Sequence, residues 1–182
     1  MPRKCPVCKF TFCPEDPDDR VEHRRYHRKY THVMYPKPLK SLLPDSLVEV
    51  RGGGNPDVRP SPQWLNKQLY KHAVAFRREF RYDLVQWSPF GEEDDEARGI
   101  LITDGNRCVV GAMGFRWRDW SDAPAGWTLD WVWFVPSFRK QGYLTRHWKK
   151  LRQMYGDFYI QRPVSDAMRQ FAIKQGDAAL LR

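Results

Sequence analysis

Two groups of residues in this sequence have the types and spacing to do chemistry. The first is Cys5-x2-Cys8-x14-His23-x3-His27. A Cys-x2-Cys knuckle turns two thiolates to one side, and histidines four apart stand one turn above each other on a helix. Four soft or borderline donors then converge in the tetrahedral arrangement that Zn2+ takes in Cys2His2 sites. A segment this short cannot fold on buried area alone, so the metal supplies most of its folding free energy. The second group is Trp133–Arg146, WFVPSFRKQGYLTR. A β-prone run ends at Val135-Pro136, and Arg139-Lys140-Gln141-Gly142-Tyr143-Leu144 then opens a helical pattern. Strand, tight loop and helix start leave a row of unpaired backbone N–H groups at the positive end of a helix dipole, which suits a diphosphate.

These sites need elements to hold them, and composition sets the scale. The chain has 182 residues, 41% of them hydrophobic, with 8 Trp, 8 Tyr and 10 Phe. That is enough for one medium domain and a small module. A net charge of +9 suits an acidic partner such as nucleic acid, a coenzyme phosphate or an acidic protein. It equally suits a basic surface with no partner. The first residues are basic and broken by Pro and Cys, unlike a signal peptide. No apolar run approaches a membrane span. Cysteines placed for metal rather than for bridges point to an intracellular, reducing compartment.

The organisation read from the sequence is a Cys/His module over 1–35, a Pro-rich basic linker over 36–44 and a larger domain over 45–182. In the module, Asp18 or Asp19 is the expected cap of a helix from Val21 to about His32, and Phe12 and Val21 the expected small core. Cys13 and His32 read as bystanders. In the larger domain, Leu47–Val50 reads as a first strand ended by Gly52-Gly53-Gly54, with a loop through Pro62. Leu65, Leu69, His72, Ala73, Phe76 and Phe80 then recur at helical spacing behind Pro62, with Ser61 as N-cap. The acidic run 91–96 reads as a solvated loop. Ile100–Ile102, Asp104-Gly105 and Cys108–Phe115 read as a hairpin. Trp127–Val135 is the next strand, Gly142–Tyr155 a helix, Phe158–Ile160 a short strand, and Ser165–Gln175 a helix ended by Gly176.

The loop Arg139–Leu144, placed between a strand and a helix, resembles motif A of the GCN5-related N-acetyltransferase (GNAT) superfamily. The resemblance implies an α+β fold of GNAT type, a mixed, mostly antiparallel sheet with flanking helices, here preceded by a Cys2His2 zinc finger. It implies binding of acetyl-CoA: the backbone of Trp133, Phe134 and Val135 beside the pantetheine arm, and the N–H groups from Lys140 through Gln141, Gly142, Tyr143 and Leu144 to Thr145 around the pyrophosphate. Arg139 and Gln141 would line that loop. Leu144 replaces the usual second Gly or Ala. A finger directly before such a domain further resembles the cohesin acetyltransferases of the establishment-of-cohesion family. Trp133, Arg139, Lys140, Thr145, Arg146 and the segments Pro163–Asp166 and Phe171–Lys174 match that family's pattern.

Acetyl transfer needs a base for the amine, and two carboxylates are candidates. Asp130 lies on the motif A strand, read as sharing a face with Thr128 and Val132. Asp166, beside Ser165, matches the family's acidic segment. Each has a structural reading too, as an ion pair or a helix cap. The tyrosine that many superfamily members carry after the equivalent of Phe171 is here Ala172, so the thiolate proton would come from water, Ser165 or Tyr143. Trp127, Trp131 and Trp133 read as sheet packing, with Trp131 as a candidate substrate slot. His72 and His147 read as packing residues. The expected activity is N-acetylation of a lysine on a protein, with the finger as recognition or structural module. Acetylation of a small amine, or a non-catalytic adaptor binding nucleic acid or protein, are the other readings. The basic finger helix leaves nucleic acid open as a partner, although a lone finger binds DNA weakly.

Overall fold

The chain begins with two short strands, β1 (Arg3–Lys4) and β2 (Thr11–Phe12), paired antiparallel, followed by the helix α1 (Pro17–Met34). These and the elements below belong to a computed structural model that describes residues 1–52, 59–90, 94–121 and 124–181. The finger helix starts earlier than the sequence suggests. Asp16 caps it, accepting from the N–H groups of Asp18 and Asp19, and Pro17 takes the first turn, where its missing N–H costs nothing. Asp19 instead accepts from the Cys13 N–H at 2.8 Å. Val21 is exposed, so it is not the expected core residue; Phe10 and Phe12 both stack on the His23 ring instead.

The larger domain is a five-stranded sheet between two helical layers. Its strands are β3 (Leu47–Arg51), β4 (Ala97–Thr103), β5 (Val109–Arg118), β6 (Gly126–Phe134) and β7 (Tyr159–Ile160), in that spatial order. Neighbours from β3 to β6 run antiparallel, and β7 joins β6 in parallel. One face is covered by α2 (Gln63–Phe80), through Leu65, Leu69, Ala73 and Phe76, together with Val33 at the end of α1. The other is covered by α3 (Tyr143–Tyr155) and α4 (Asp166–Lys174), through Trp148, Leu151, Met168 and Ala172. The 36–44 segment is packed rather than free: the Leu39 N–H donates to the Arg107 carbonyl and Leu42 is buried in the α2-side core.

Two local expectations change. The Ser61 hydroxyl accepts from the Arg51 N–H of β3, and Pro62 stands at the α2 cap with no side-chain bond. The β4–β5 connection is not a two-residue Asp-Gly turn. Arg107 takes the left-handed conformation, and the Asp104 carboxylate accepts from the N–H groups of Asn106 and Cys108. That loop is closed by an aspartate side chain, which suits such turns as well as glycine does. Gly53 and Gly54, most of the loop through Pro62, and the start of the acidic run at 91–93 lie outside the described residues.

Candidate functional site: a strand cleft, an amide row and a zinc finger

The site grows from one irregularity in β6. Gly114 pairs with Trp131 and Phe115 with Leu129, which leaves Asp130 as an extra residue on the longer side of a bulge. A single extra residue reverses the alternation of side chains. Trp127 and Leu129 therefore face α3 and α4, while Trp131 and Trp133 face α2. The three tryptophans do not share a face, and Asp130 does not sit in line with Thr128 and Val132. Trp131 lies flat over Gly114, where an added Cβ would stand 2.3 Å from its indole nitrogen.

The bulge also ends the pairing of β6 with β7. The two strands match only at Thr128–Tyr159 and Leu129–Ile160, with one further bond from the Gln161 N–H to the Leu129 carbonyl. Beyond it they diverge, and a cleft of about 250 Å³ opens between them. Asp130, Trp131, Val132 and Ser165 line it, and Phe76, Phe80 and Tyr82 close it from the α2 side. Asp130 is almost fully enclosed, with its side chain 8% exposed. Arg118 donates to both of its oxygens at 3.0 and 3.1 Å, and Arg116 stands at 3.5 Å. Burial pushes the Asp130 carboxyl up from the ordinary range, and the two arginines pull against that rise. Tyr82 is also raised, by burial and by the negative field of Asp130.

Past the stretch Leu129–Val132 that lines the cleft, β6 ends at Phe134 and a loop follows. Pro136–Phe138 form a single 3-10 turn, Lys140 and Gly142 both have positive φ (59° and 80°), and α3 starts at Tyr143. Arg146 is the first residue of α3 whose N–H bonds back, to the Gly142 carbonyl. The N–H groups of residues 140–145 accordingly have no partner among the described residues, and no side chain caps the helix. An added Cβ at Gly142 would meet nothing within 4 Å, so glycine serves the backbone conformation there. The side chains expected to line this loop do other work. Arg139 pairs bidentately with Glu79 of α2 at 2.7 and 2.6 Å and donates through Nε to the Phe134 carbonyl. Glu79 also accepts from the Trp133 indole at 2.8 Å. The arginine bonds, and then the indole, hold Glu79 below the usual carboxylate range. Gln141 donates to the Ser137 carbonyl. Both residues brace the loop and leave its amides free.

Ser165 and Asp166 separate. The Ser165 hydroxyl caps α4, accepting from the Met168 N–H at 3.3 Å, and lines the cleft. Asp166 is exposed on the first turn and is not among the residues of the cleft. Tyr143 begins α3 and packs on Phe138, while Ala172 is fully buried.

In the finger, Cys5, Cys8, His23 and His27 offer ligand atoms that all lie within 4.8 Å of one another. His23 Nε2 is buried with no partner, as a donor atom reserved for a metal would be. The Cys8 N–H lowers the Cys5 thiol to about 6, against some opposing burial, while burial raises Cys8. The residues present fit Zn2+. The finger is docked on α2 by Arg78, which donates to the Cys8 carbonyl and stacks over Tyr26 and Tyr30 at 5.0 and 4.8 Å.

Comparison with known proteins fits this division. Residues 1–29 match the family model described as the zinc-finger of acetyl-transferase ESCO. The xEco2 acetyltransferase domain superposes with a TM-score of 0.52 at 12% identity, covering 79% of this chain and 92% of that one. The same domain bound to a K105-CoA conjugate gives 0.51 at 14% identity, covering 70% and 85%. The larger domain has the GNAT acetyltransferase fold. No curated protein sequence matches the chain. The mixed, mostly antiparallel sheet with flanking helices expected from the sequence is present.

Sequence reasoning missed Glu79, Tyr82, Phe80 and Arg118 as site residues. Glu79 is one acidic residue on a helix, and Arg118 one of many arginines; only the fold brings them to the loop and the bulge. Among the described residues no helix is long and apolar enough to cross a membrane.

Proposed function

We propose that this protein is an acetyl-CoA-dependent N-acetyltransferase that acts on a lysine side chain of a protein by direct transfer in a ternary complex. The observation that carries the reading is a buried carboxylate in the cleft between β6 and β7, on the same strand that is followed by a row of unpaired amides. The free edge of β6 past Leu129 offers backbone groups to the amides of a pantetheine arm, and the N–H groups of 140–145 suit a pyrophosphate. The solved xEco2 domain with a bound K105-CoA conjugate supports this placement by analogy of fold.

Asp130 is the base this arrangement favours. It lies in the cleft, whereas Asp166 lies outside it. Its raised proton affinity suits the uptake of a proton from a lysine ammonium. The neutral amine then attacks the thioester carbonyl, its nitrogen releases one proton to solvent as the C–S bond breaks, and the departing thiolate takes a proton from Tyr82, Ser165 or water at the cleft wall. Phe76 and Phe80 exclude water from the amine's side. The finger and the basic surface favour a macromolecular acceptor, because a small amine needs no recognition module.

The test is transfer of radiolabelled acetyl groups from acetyl-CoA to a panel of lysine-rich proteins, with polyamines and aminoglycosides in parallel. Label in protein and not in the small amines is expected. Label confined to small amines overturns the acceptor class. Tight acetyl-CoA binding in calorimetry with no transfer to anything makes the chain an adaptor.

A further inference from the structure

On its other flank, α2 forms a second and larger groove against the finger helix, of about 710 Å³. Tyr30, Val33 and Met34 of α1 make one wall, and Tyr70, Val74 and Ala75 of α2 the other. Lys29, Lys67 and Lys71 stand along it, and none of them pairs with a carboxylate among the described residues. Glu79, the one carboxylate lining the groove among the described residues, is already held by Arg139 and Trp133. Burial, and then the nearby Lys67, lower the proton affinity of Lys71. Cations set at the edge of an apolar surface without counter-charge favour an anionic occupant.

The lining decides between anionic partners. A single nucleic-acid strand wants open aromatic faces for its bases. Here Arg78 lies over both Tyr26 and Tyr30, which among the described residues leaves Tyr70 as the remaining aromatic ring beside the aliphatic Val33, Met34, Val74 and Ala75. A trough between two helices instead suits the apolar face of a third. We propose that the groove between α1 and α2 docks an acidic amphipathic segment of the acetyl acceptor, apolar side chains inward and carboxylates against Lys29, Lys67 and Lys71. This rests on the protein-acceptor reading above. α2 is a wall of both sites: Phe76 and Phe80 face the transfer cleft, and Val74 and Ala75 face the groove. A segment held there keeps its own lysines about one helix diameter, roughly 10 Å, from the cleft, and so raises their effective concentration. The zinc finger then has a recognition role: its helix is half of the docking surface.

Fluorescence anisotropy on the full chain tests this, using a labelled helical peptide with leucine on one face and glutamate on both flanks. Saturable binding is expected, weakened about tenfold by Val74→Glu and by the double change Lys67→Glu/Lys71→Glu. Acetyl-CoA affinity, read by calorimetry, stays unchanged in both variants and reports that they fold. The same variants raise KM for a protein acceptor and leave kcat alone. Equal peptide binding by wild type and variants overturns the proposal. So does preferential binding of a single-stranded oligonucleotide that the acidic peptide cannot displace. Anisotropy does not depend on turnover, so the two readings fail separately. Peptide binding without any protein acetylation keeps the groove and removes the acceptor. Protein acetylation with groove variants indistinguishable from wild type removes the groove alone.

Discussion

In the finger, two short strands and a helix bring four side chains to one point, and each of the four can be named from its spacing. In the cleft between β6 and β7, the decisive event is one extra residue in β6, which ends a strand pairing, reverses a pattern of side chains and exposes a backbone edge. The finger's chemistry resides in side-chain identity, and the cleft's in where the main chain is left unpaired. Substitution should therefore be nearly all-or-none at the finger and graded at the cleft.

The largest effect is expected from Cys8→Ser. Loss of one thiolate removes the metal that holds the module folded, and Arg78 loses the carbonyl on which it docks. Zinc measured by inductively coupled plasma mass spectrometry should fall from one equivalent to near none, with a lower melting temperature for the whole chain. Retention of one zinc would overturn the ligand set.

Next comes Gly142→Asp. A side chain at φ 80° strains the loop, and a carboxylate opposes a diphosphate at the same amides. Acetyl-CoA affinity in calorimetry should drop by about a hundredfold or more, taking two such penalties together. Normal affinity would place the cofactor elsewhere. Asp130→Asn should lower kcat by about 10²-fold at unchanged acetyl-CoA affinity, the ordinary contribution of a positioned base. Asp166→Asn should stay close to wild type. Because burial raises the Asp130 proton affinity, the acid limb of the pH–rate profile should lie above the range of a free carboxylate and disappear in Asp130→Asn. Equal rates in the two variants would remove Asp130 from the chemistry.

The effect that is smallest at neutral pH concerns the scaffold under the cleft. His72 is fully buried on α2, its Nδ1 2.9 Å from the Gln68 carbonyl and its ring against Trp133, and burial lowers its pKa from 6.5 to about 4. Above 6.5 both folded and unfolded chains hold it neutral. Between 6.5 and about 4 only the unfolded chain takes the proton, so stability falls as the pH falls, by about 3 kcal/mol across the window. Urea titrations at several pH values measure that slope, and His72→Phe should flatten it.

This contrast also explains what was legible in advance. The four zinc ligands, the apolar stripe of α2, the order of elements and the loop after Pro136 all follow from residue types at fixed spacing, and the structure contains them. The bulge does not, because Leu129, Asp130 and Trp131 read as ordinary strand alternation; only the pairing with Gly114 and Phe115 shows which residue is extra. The resemblance to motif A sets Arg139 and Gln141 along the loop, but no spacing in the sequence shows their partners, Glu79 and the Ser137 carbonyl. Asp16, the cap itself, is hard to tell apart in the sequence because Asp18 and Asp19 offer the same chemistry two and three residues later.

The finger helix has 18 residues, and only its first part belongs to the metal site. Val33, near its far end, is buried in the same core as Trp131 and Trp133. A protein cut after Tyr35 would therefore not yield two independent pieces: the larger one would lose a plug from its interior, and the smaller would carry a bare apolar tip. Ligand spacing marks where zinc is held, while the shared core around Val33 ties the finger helix to the sheet, so the two parts are expected to fold as one body.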